Sequence, residues 1–276
     1  GILQRGGCRA GFPRRAISKK SEEAIVATET VESARVVKLK SRREVAERTI
    51  EFEIEKPSGF EFKAGQYAEI ALVDPPETDA EGSARVFSII TAPDEGSLKF
   101  ATRLRESAFK RVLHALPVGS SVKLDGPFGD FTLHNNPKRA AILLAGGIGI
   151  TPFHSVLRRA AREKLPHKIF LFYSNRHPQD AAFLDELREL AKQNVNFTFV
   201  PTMTAADLPP AEWSGERGHV DWSMIQRHAG AVMDGSGAGP VYYLAGPPAM
   251  VNDLRAMLNK AGVDDDDIRA EGFDGY

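Results

Sequence analysis

Hydrophobic and polar residues alternate through the first half of the chain, and one segment shows this most clearly. Ile50, Phe52 and Ile54 alternate with glutamates, which predicts a strand with one buried face. Further strands are predicted at 34–40, 66–73, 85–90, 97–103 and 121–124. Proline- and glycine-rich turns separate them, so the pattern predicts a small antiparallel barrel or sandwich. A helix over 107–116, capped by Ser107, interrupts the strands.

The pattern changes near residue 137, where strands begin to alternate with helices. The predicted strands are 140–145, 168–173, 197–202, 241–245 and 268–270. The clearest helices are 152–164, 181–193 and 248–261. Alternating strands and helices predict a parallel, doubly wound sheet. The sequence therefore predicts a tail over 1–33, a β domain over 34–136 and an α/β domain over 137–276.

A glycine-rich turn follows the first strand of the second domain. The strand, Ala140–Ala145, is entirely apolar, as expected for a strand buried on both faces. We expect Thr151 to cap a helix and Pro152 to be its first residue. Such a turn gathers backbone N–H groups and suits a phosphate or pyrophosphate, although a turn that binds nothing stays open. The turn residues are Gly146, Gly147, Gly149, Thr151 and Pro152.

Composition limits the classes of function. The chain has 276 residues, 42% hydrophobic and 26% charged, with a net charge of −1, as in soluble globular proteins. The balance predicts no nucleic-acid partner, and no apolar run predicts membrane insertion. A single cysteine, Cys8, excludes internal disulfides and a cysteine-ligated iron–sulfur cluster within this chain. The single cysteine also makes a reducing, cytoplasmic setting the default expectation. The seven histidines have no metal-ligand spacing, so we expect no metal site.

The first 33 residues differ from the rest of the chain. Six lysines and arginines precede the first acidic residue, Glu22. An organelle transit sequence, a basic docking arm and a cloning remnant all fit this composition, and organelle import would change the expected location. The favoured interpretation is a disordered tail without chemistry.

A second motif lies in the β domain, where Arg85, Val86, Phe87 and Ser88 follow one another. Alternation places Arg85 and Phe87 on one face of the strand and Ser88 on the other. Arginine binds pyrophosphate, an aromatic ring covers a flat heterocycle, and a serine hydroxyl bonds a ring nitrogen. By itself this tetrapeptide also fits an ordinary strand.

Six motifs in order give residues 34–276 a resemblance to the ferredoxin–NADP reductase family. Two of them are the glycine turn and the arginine-containing tetrapeptide described above. The other four are Phe62-Lys63-Ala64-Gly65-Gln66-Tyr67, Gly126-Pro127-Phe128-Gly129-Asp130-Phe131, Ala245-Gly246-Pro247-Pro248 and Glu271-Gly272-Phe273. The resemblance implies a Greek-key antiparallel FAD-binding barrel followed by a doubly wound, parallel-sheet NAD(P)-binding domain.

The resemblance also implies roles for individual residues. Arg85 would hold the FAD pyrophosphate, Phe87 would lie against the isoalloxazine, and Ser88 would reach flavin N5. Phe273 would cover the other flavin face and move aside for the nicotinamide. Gly246 and Pro247 would border the nicotinamide, and the glycine turn would hold the nucleotide pyrophosphate.

Two departures from the family pattern affect this site. Ala245 stands where the family usually has a cysteine, so no thiol helps to position the nicotinamide. The second phosphate-binding segment lacks its usual glycine. There we expect Arg105 and backbone N–H groups at the helix start, with Ser107 or Lys110, to bind the FAD phosphates.

The implied reaction is hydride transfer from NAD(P)H to FAD, followed by single-electron transfer to an acceptor. The implied acceptors are a ferredoxin, a flavodoxin or an oxygenase component. Ser174 and Arg176 follow the second parallel strand without an acidic neighbour, which favours NADPH. A free-standing flavin or ferric reductase (diaphorase) and a non-catalytic, flavin-binding electron-transfer subunit remain alternatives.

Overall fold

The computed structural model describes residues 34–233 and 239–273. The predicted tail and Cys8 lie outside these residues. The chain divides into two units, and every element below belongs to the unit Arg35–Tyr276.

The first six strands form an antiparallel sheet with the order β4-β3-β6-β1-β2-β5. The end strands of this order meet, because Ile90, just after β4, donates its backbone N–H to the Lys99 carbonyl in β5 at 2.9 Å. Helix α1, Ala108–Ala115, follows β5, and the Ser107 side chain caps it as predicted. The strands are β1 Arg35–Ala46, β2 Thr49–Glu55, β3 Tyr67–Leu72, β4 Ala84–Ser88, β5 Ser97–Arg103 and β6 Ser121–Phe128.

The second sheet is parallel, with the order β10-β9-β8-β7-β11-β12. Its strands are β7 Ala141–Gly146, β8 Ile169–Asn175, β9 Phe197–Met203, β10 Glu216–Arg217, β11 Val241–Gly246 and β12 Ile268–Gly272. The helices are α2 Ile150–Arg162, α3 Leu184–Gln193, α4 Trp222–Met233 and α5 Pro248–Lys260. Both sheets confirm the predicted fold class.

Helices cover both faces of the parallel sheet, which explains the apolar β7. Phe153 of α2 and Leu187 of α3 pack on one face. Ile225 of α4 and Leu254 of α5 pack on the other. The antiparallel sheet encloses its own core around Phe52 and Phe100.

The helix boundaries correct two predictions. Thr151 is not the N-cap of α2. A 3₁₀ turn over Gly147–Gly149 leads into the helix, and Gly149 is the N-cap. The Thr151 hydroxyl instead donates to the Ile148 carbonyl at 2.9 Å. Phe183 precedes α3 in the left-handed conformation, with φ 61°. That conformation turns its ring onto His154, with ring centroids 4.4 Å apart, so α3 starts later than predicted.

Helix α4 and the short β10 are absent from the sequence prediction. The signal for α4 is Asp221, whose carboxylate accepts the Met224 backbone N–H at 2.7 Å. Gly230 inside the helix weakens the apolar periodicity that would identify it.

Helix α2 connects the parallel sheet to the segment after β4. His154 Nδ1 lies 2.8 Å from the Ile90 carbonyl, and the Ser155 hydroxyl donates to the Thr91 carbonyl at 2.6 Å. Both side chains are buried. The end of β4 is therefore held beside the helix that follows the glycine turn.

Candidate functional site

Two glycine turns meet at the carboxyl edge of the parallel sheet. A Cβ on Gly246 would lie 3.2 Å from the Gly146 Cα, and a Cβ on Gly149 would overlap the Ala245 carbonyl oxygen. The chain winds in opposite directions from β7 to β8 and from β7 to β11, so this edge is the topological switch point. Open α/β sheets bind their ligands at that point.

The start of α2 presents backbone N–H groups at this edge. No side chain among the described residues caps the Gly149 end of the helix. Gly147 has φ +52°, and a Cβ there would meet nothing within 4 Å, so the space above it is open. Thr151 and Pro152 are buried, so a ligand would meet the backbone here rather than the Thr151 hydroxyl. The arrangement fits a phosphate or pyrophosphate.

The end of β12 completes the edge of this crevice. Gly246 pairs with Gly272, and the Gly246 carbonyl accepts the Phe273 backbone N–H at 3.0 Å. Phe273 is thereby placed beside the turn that contains Pro247. Hydrogen bonding along β12 thus brings together three of the residues that the sequence predicts near the nicotinamide.

Glu271 lies in β12 directly before Gly272, and from the sequence both a position near the flavin and a solvated role fit it. Its Oε2 is buried and has no hydrogen-bond partner among the residues that the structure describes. Burial, followed by the nearby charge of Asp130, raises the pKa of Glu271 to about 7. The carboxyl group therefore changes its charge near neutral pH at the rim of the candidate site.

Ser174 also reaches the crevice, because it pairs with Gly146 across β7 and β8. Arg176 follows β8 directly and is exposed. Among the described residues, no carboxylate forms an ion pair with Arg176. The strand register therefore places both residues predicted to select the nucleotide on the side of Gly146 opposite Gly246.

The tetrapeptide on β4 divides between the surface and the core. Val86 is 50% exposed, whereas Phe87 is only 3% exposed. The Phe87 ring lies 5.3 Å from Phe52 and 5.8 Å from Phe109, inside the barrel. The ring is part of the barrel core and is not exposed on the surface. This differs from the expectation that Phe87 lies against the isoalloxazine. Ser88 is buried at the end of β4, two residues before Ile90.

Arg85 is held by the loop that precedes β4. Its Nη2 lies 2.7 Å from a Glu81 carboxylate oxygen and 3.4 Å from Asp79 Oδ1. Asp79 also accepts the Ala108 backbone N–H at 2.8 Å, at the start of α1. A carboxylate thus contacts both the arginine and the helix N-terminus that the sequence assigns to a phosphate. Sequence analysis missed Asp79, whose only local signal is its place in an acidic loop.

Cations gather around the start of α1. Lys110 is buried, and burial, followed by the charges of Arg105 and Arg85, lowers its pKa to about 8. Neighbouring positive charges lower the pKa of an amine in this way when nearby anions do not fully neutralise them. This group of cations fits the pyrophosphate of a dinucleotide cofactor such as FAD. Ser107 uses its side chain to accept the Lys110 backbone N–H at 3.3 Å.

Arg105 and Arg176, which the sequence assigns to two different cofactors, line one cavity. The cavity has a volume of about 490 Å³. Arg105 belongs to the segment between β5 and α1, and Arg176 follows β8. The structure therefore joins the two predicted phosphate sites along one basic surface.

Residues 34–233 and 239–273 contain no group of three metal-ligating side chains. No helix within them is both long enough and apolar enough to cross a bilayer.

The comparisons with known proteins identify the second domain. Residues 143–256 match the family of oxidoreductase NAD-binding domains. This match begins in β7 and ends in α5, so it contains both glycine turns.

Curated relatives extend the similarity over most of the chain. The ferredoxin–NADP reductase B of Sorangium cellulosum is 27% identical over 231 residues, 82% of this chain and 91% of that protein. The phenol 2-monooxygenase reductase component of Pseudomonas sp. (strain CF600) is 31% identical over 215 residues, 77% of this chain and 58% of that protein. The chain spans 57% and 61% of two propane 2-monooxygenase reductase components.

Solved structures share the fold. A ferredoxin NADP+ reductase from Neisseria gonorrhoeae with bound FAD and NADP has a TM-score of 0.70 at 21% identity, covering 87% of this chain and 98% of that one. The FAD/NAD-binding domain of a Vibrio cholerae nitric oxide dioxygenase has a TM-score of 0.73 at 20% identity, covering 88% and 99%. Motifs, relatives and architecture agree, and the chain belongs to the ferredoxin–NADP reductase family of oxidoreductases.

Proposed function

We propose that this chain is a FAD-dependent NAD(P)H reductase, with the flavin on the barrel (34–136) and the nucleotide on the α/β domain (137–276). The meeting of Gly146 and Gly246 at the switch point, beside Phe273, carries the proposal. The end of β4 is held against α2, so groups bound to the two domains would face each other. A bound FAD would supply the redox chemistry, since it can accept a hydride and release electrons one at a time.

The chain's own residues bind and orient the two groups. Arg85 and Lys110, with Ser107 at the helix start, bind the flavin phosphates, and Arg105 is left to the cavity that it shares with Arg176. Ser88 would donate a hydrogen bond to the flavin ring from the end of β4, with Val86 on the outer face of the strand. Phe87 supports this site from within the core.

The nucleotide is held at the carboxyl edge of the sheet. The turn that contains Gly146, Gly147 and Gly149 receives its pyrophosphate at the start of α2. Gly246 and Pro247 would border the nicotinamide, and Phe273, beside Gly246, would cover the flavin ring when no nicotinamide is bound. Holding the reacting atoms in order and excluding water are the protein's contributions to the rate.

The acceptor is a one-electron redox protein, either a ferredoxin, a flavodoxin or an oxygenase component. The names of the relatives support this class, because they include a ferredoxin reductase and several oxygenase reductase components. Ser174 and Arg176, which forms no ion pair with a described residue, support NADPH as the donor.

A comparison of acceptors tests this proposal. The flavin-loaded protein would receive NADPH, and the reduction of a ferredoxin, a flavodoxin, free FMN and a ferric chelate would be followed in parallel. A protein acceptor is expected to give the highest kcat/KM. Reduction of only free FMN or ferric chelate would instead identify a free-standing reductase. Bound flavin without any nucleotide-dependent reduction would identify a non-catalytic subunit.

A further inference from the structure

We infer that the barrel contributes arginines to the site that selects the nucleotide. The cavity of about 490 Å³ is lined from the barrel side by Arg48, Arg103 and Arg105 and from the nucleotide side by Arg176 and His177. We call it the arginine cavity. This inference rests on the proposed function, and it names a phosphomonoester, the 2′-phosphate of NADPH, as the ligand of this cavity.

Backbone hydrogen bonds between distant segments build the cavity. The β1–β2 turn donates the Glu47 N–H to the Gln179 carbonyl at 2.8 Å, and the Arg48 carbonyl accepts the Leu104 N–H at 2.6 Å. Arg48 has φ 52°, in the left-handed region. The turn is therefore fixed both to the segment after β5 and to the segment after β8, which brings Arg48 and Arg176 into the same cavity.

The charges of the cavity are unbalanced. Four arginines face two carboxylates, Glu47 and Asp180. Asp180 is already engaged, because Arg103 lies 3.2 Å from its carbonyl oxygen and 3.9 Å from its carboxylate, and His177 lies 3.3 Å from the same carboxyl group. Within the described residues, Arg48, Arg105 and Arg176 form no ion pair. Their guanidinium groups are therefore available to an anion from solution.

The position of the cavity indicates which anion it receives. Arg176 stands two residues beyond Ser174, which pairs with Gly146 of the proposed pyrophosphate turn. A volume near 490 Å³ lies in the range of small-ligand pockets and accommodates more than a single phosphate. Arginines bind phosphate oxygens in bidentate geometry, so two or three of them favour a dianionic phosphomonoester over a hydroxyl group. The 2′-phosphate is the group that distinguishes NADPH from NADH.

Calorimetric titration of the flavin-loaded protein with adenosine 2′,5′-bisphosphate and with 5′-AMP tests the inference. The bisphosphate is expected to bind more tightly, and its affinity should fall as salt is added. Arg48→Gln and Arg105→Gln should each weaken the bisphosphate about 10-fold, the loss expected for one charged hydrogen bond. Arg255→Gln is the matched control, because Arg255 contacts Asp265 and lines no part of the arginine cavity.

Several outcomes would overturn the inference. Equal affinity of the wild-type protein for both probes is one, and an unchanged bisphosphate affinity in both variants is another. If Arg48→Gln weakened FAD binding but not bisphosphate binding, the cavity would serve the flavin. Circular dichroism shows whether each variant is folded. If one variant is misfolded, the bisphosphate affinity of the other variant tests the inference. Reduction of the wild-type flavin by NADH tests the proposed function separately, since NADH carries no 2′-phosphate.

Discussion

Gly146 and Gly246 approach each other so closely that a Cβ on Gly246 would lie 3.2 Å from the Gly146 Cα. Each residue ends a neighbouring parallel strand, β7 or β11. A Cβ on Gly246 would meet the Gly146 backbone, and a Cβ on Gly146 would overlap the Met250 sulfur. The closeness of these backbones thus gives a nucleotide access to the N–H groups at the start of α2.

Gly149→Ala should therefore impair both stability and nucleotide binding. Its Cβ would overlap the Ala245 carbonyl oxygen, which is backbone and moves only with β11. We expect a loss of about 2 kcal/mol in the free energy of unfolding, typical of overpacking, and a nucleotide affinity at least about 10-fold weaker. Urea unfolding and 5′-AMP titration measure the two effects. Gly230→Ala is the control, because Gly230 lies in α4 with nothing within 4 Å of its Cβ position. Equal behaviour of the two variants would contradict this account of the turn.

Arg158→Ala should loosen the contact between α2 and the barrel. Arg158 Nε lies 2.8 Å from a Glu95 carboxylate oxygen, and the same guanidinium contacts Glu186. Burial alone would raise the pKa of Glu186, but the His154 imidazole, 3.3 Å away, and the Arg158 charge lower it to about 2. Removing the arginine leaves two partly buried carboxylates without their main cation.

We expect this variant to lose about 1–2 kcal/mol, discounted for partial exposure. The neighbouring Arg159→Ala removes an exposed pair with Glu163 and should cost less than about 0.5 kcal/mol. Urea unfolding at neutral pH compares the two. A loss in the Arg159 variant as large as in the Arg158 variant would mean that the barrel contact adds nothing to stability.

Lys110 should take up protons when FAD binds. Its pKa is about 8 in the flavin-free chain, so at pH 8 about half of these side chains are neutral. An anion beside the amine raises its pKa and draws in up to about half a proton per site. Titration calorimetry in buffers with different ionisation enthalpies measures this uptake directly. Lys110→Met should abolish the uptake, and an uptake that persists in this variant would place the proton elsewhere.

Glu271 should make the chain less stable as pH rises through neutrality. The folded pKa, about 7, lies above the ordinary value of 4.5. The folded chain therefore binds more protons than the unfolded chain between these pH values. This contribution to stability is full below about pH 4.5 and lost as pH rises through about 7.

Glu271→Gln stays neutral, so its stability relative to the wild type should improve by about 2 kcal/mol between pH 5 and pH 8. Urea unfolding at the two pH values measures the difference. If the difference between Glu271→Gln and the wild type did not vary with pH, the Glu271 carboxyl would already be ionised at pH 5.

Local sequence was sufficient for most of the fold. The alternation in β2 indicates burial on one face, and the apolar run in β7 indicates burial on both faces. Both patterns depend only on neighbouring residues. The start of α2 was less predictable, because Thr151 has the chemistry of a cap but bonds to Ile148 within a 3₁₀ turn. The glycine turns were visible because backbone conformation limits which residues can occupy them.

The chemistry that sequence analysis missed depends on contacts between distant residues. Asp79 reaches the Ala108 N–H across 29 positions, and Arg48 shares a cavity with Arg176 through two backbone hydrogen bonds between distant segments. No local pattern contains such pairings. Phe87 illustrates the opposite case: its residue type fits a ring contact, but the packing of the barrel covers it.

Anaerobic stopped-flow absorbance tests the central claim most directly. The purified protein, supplemented with FAD, would be mixed with NADPH or NADH while the flavin band at about 450 nm is followed. The account predicts bound flavin that bleaches on mixing, faster with NADPH than with NADH. A protein that binds no flavin even with added FAD, or a bound flavin that neither nucleotide reduces, would contradict it.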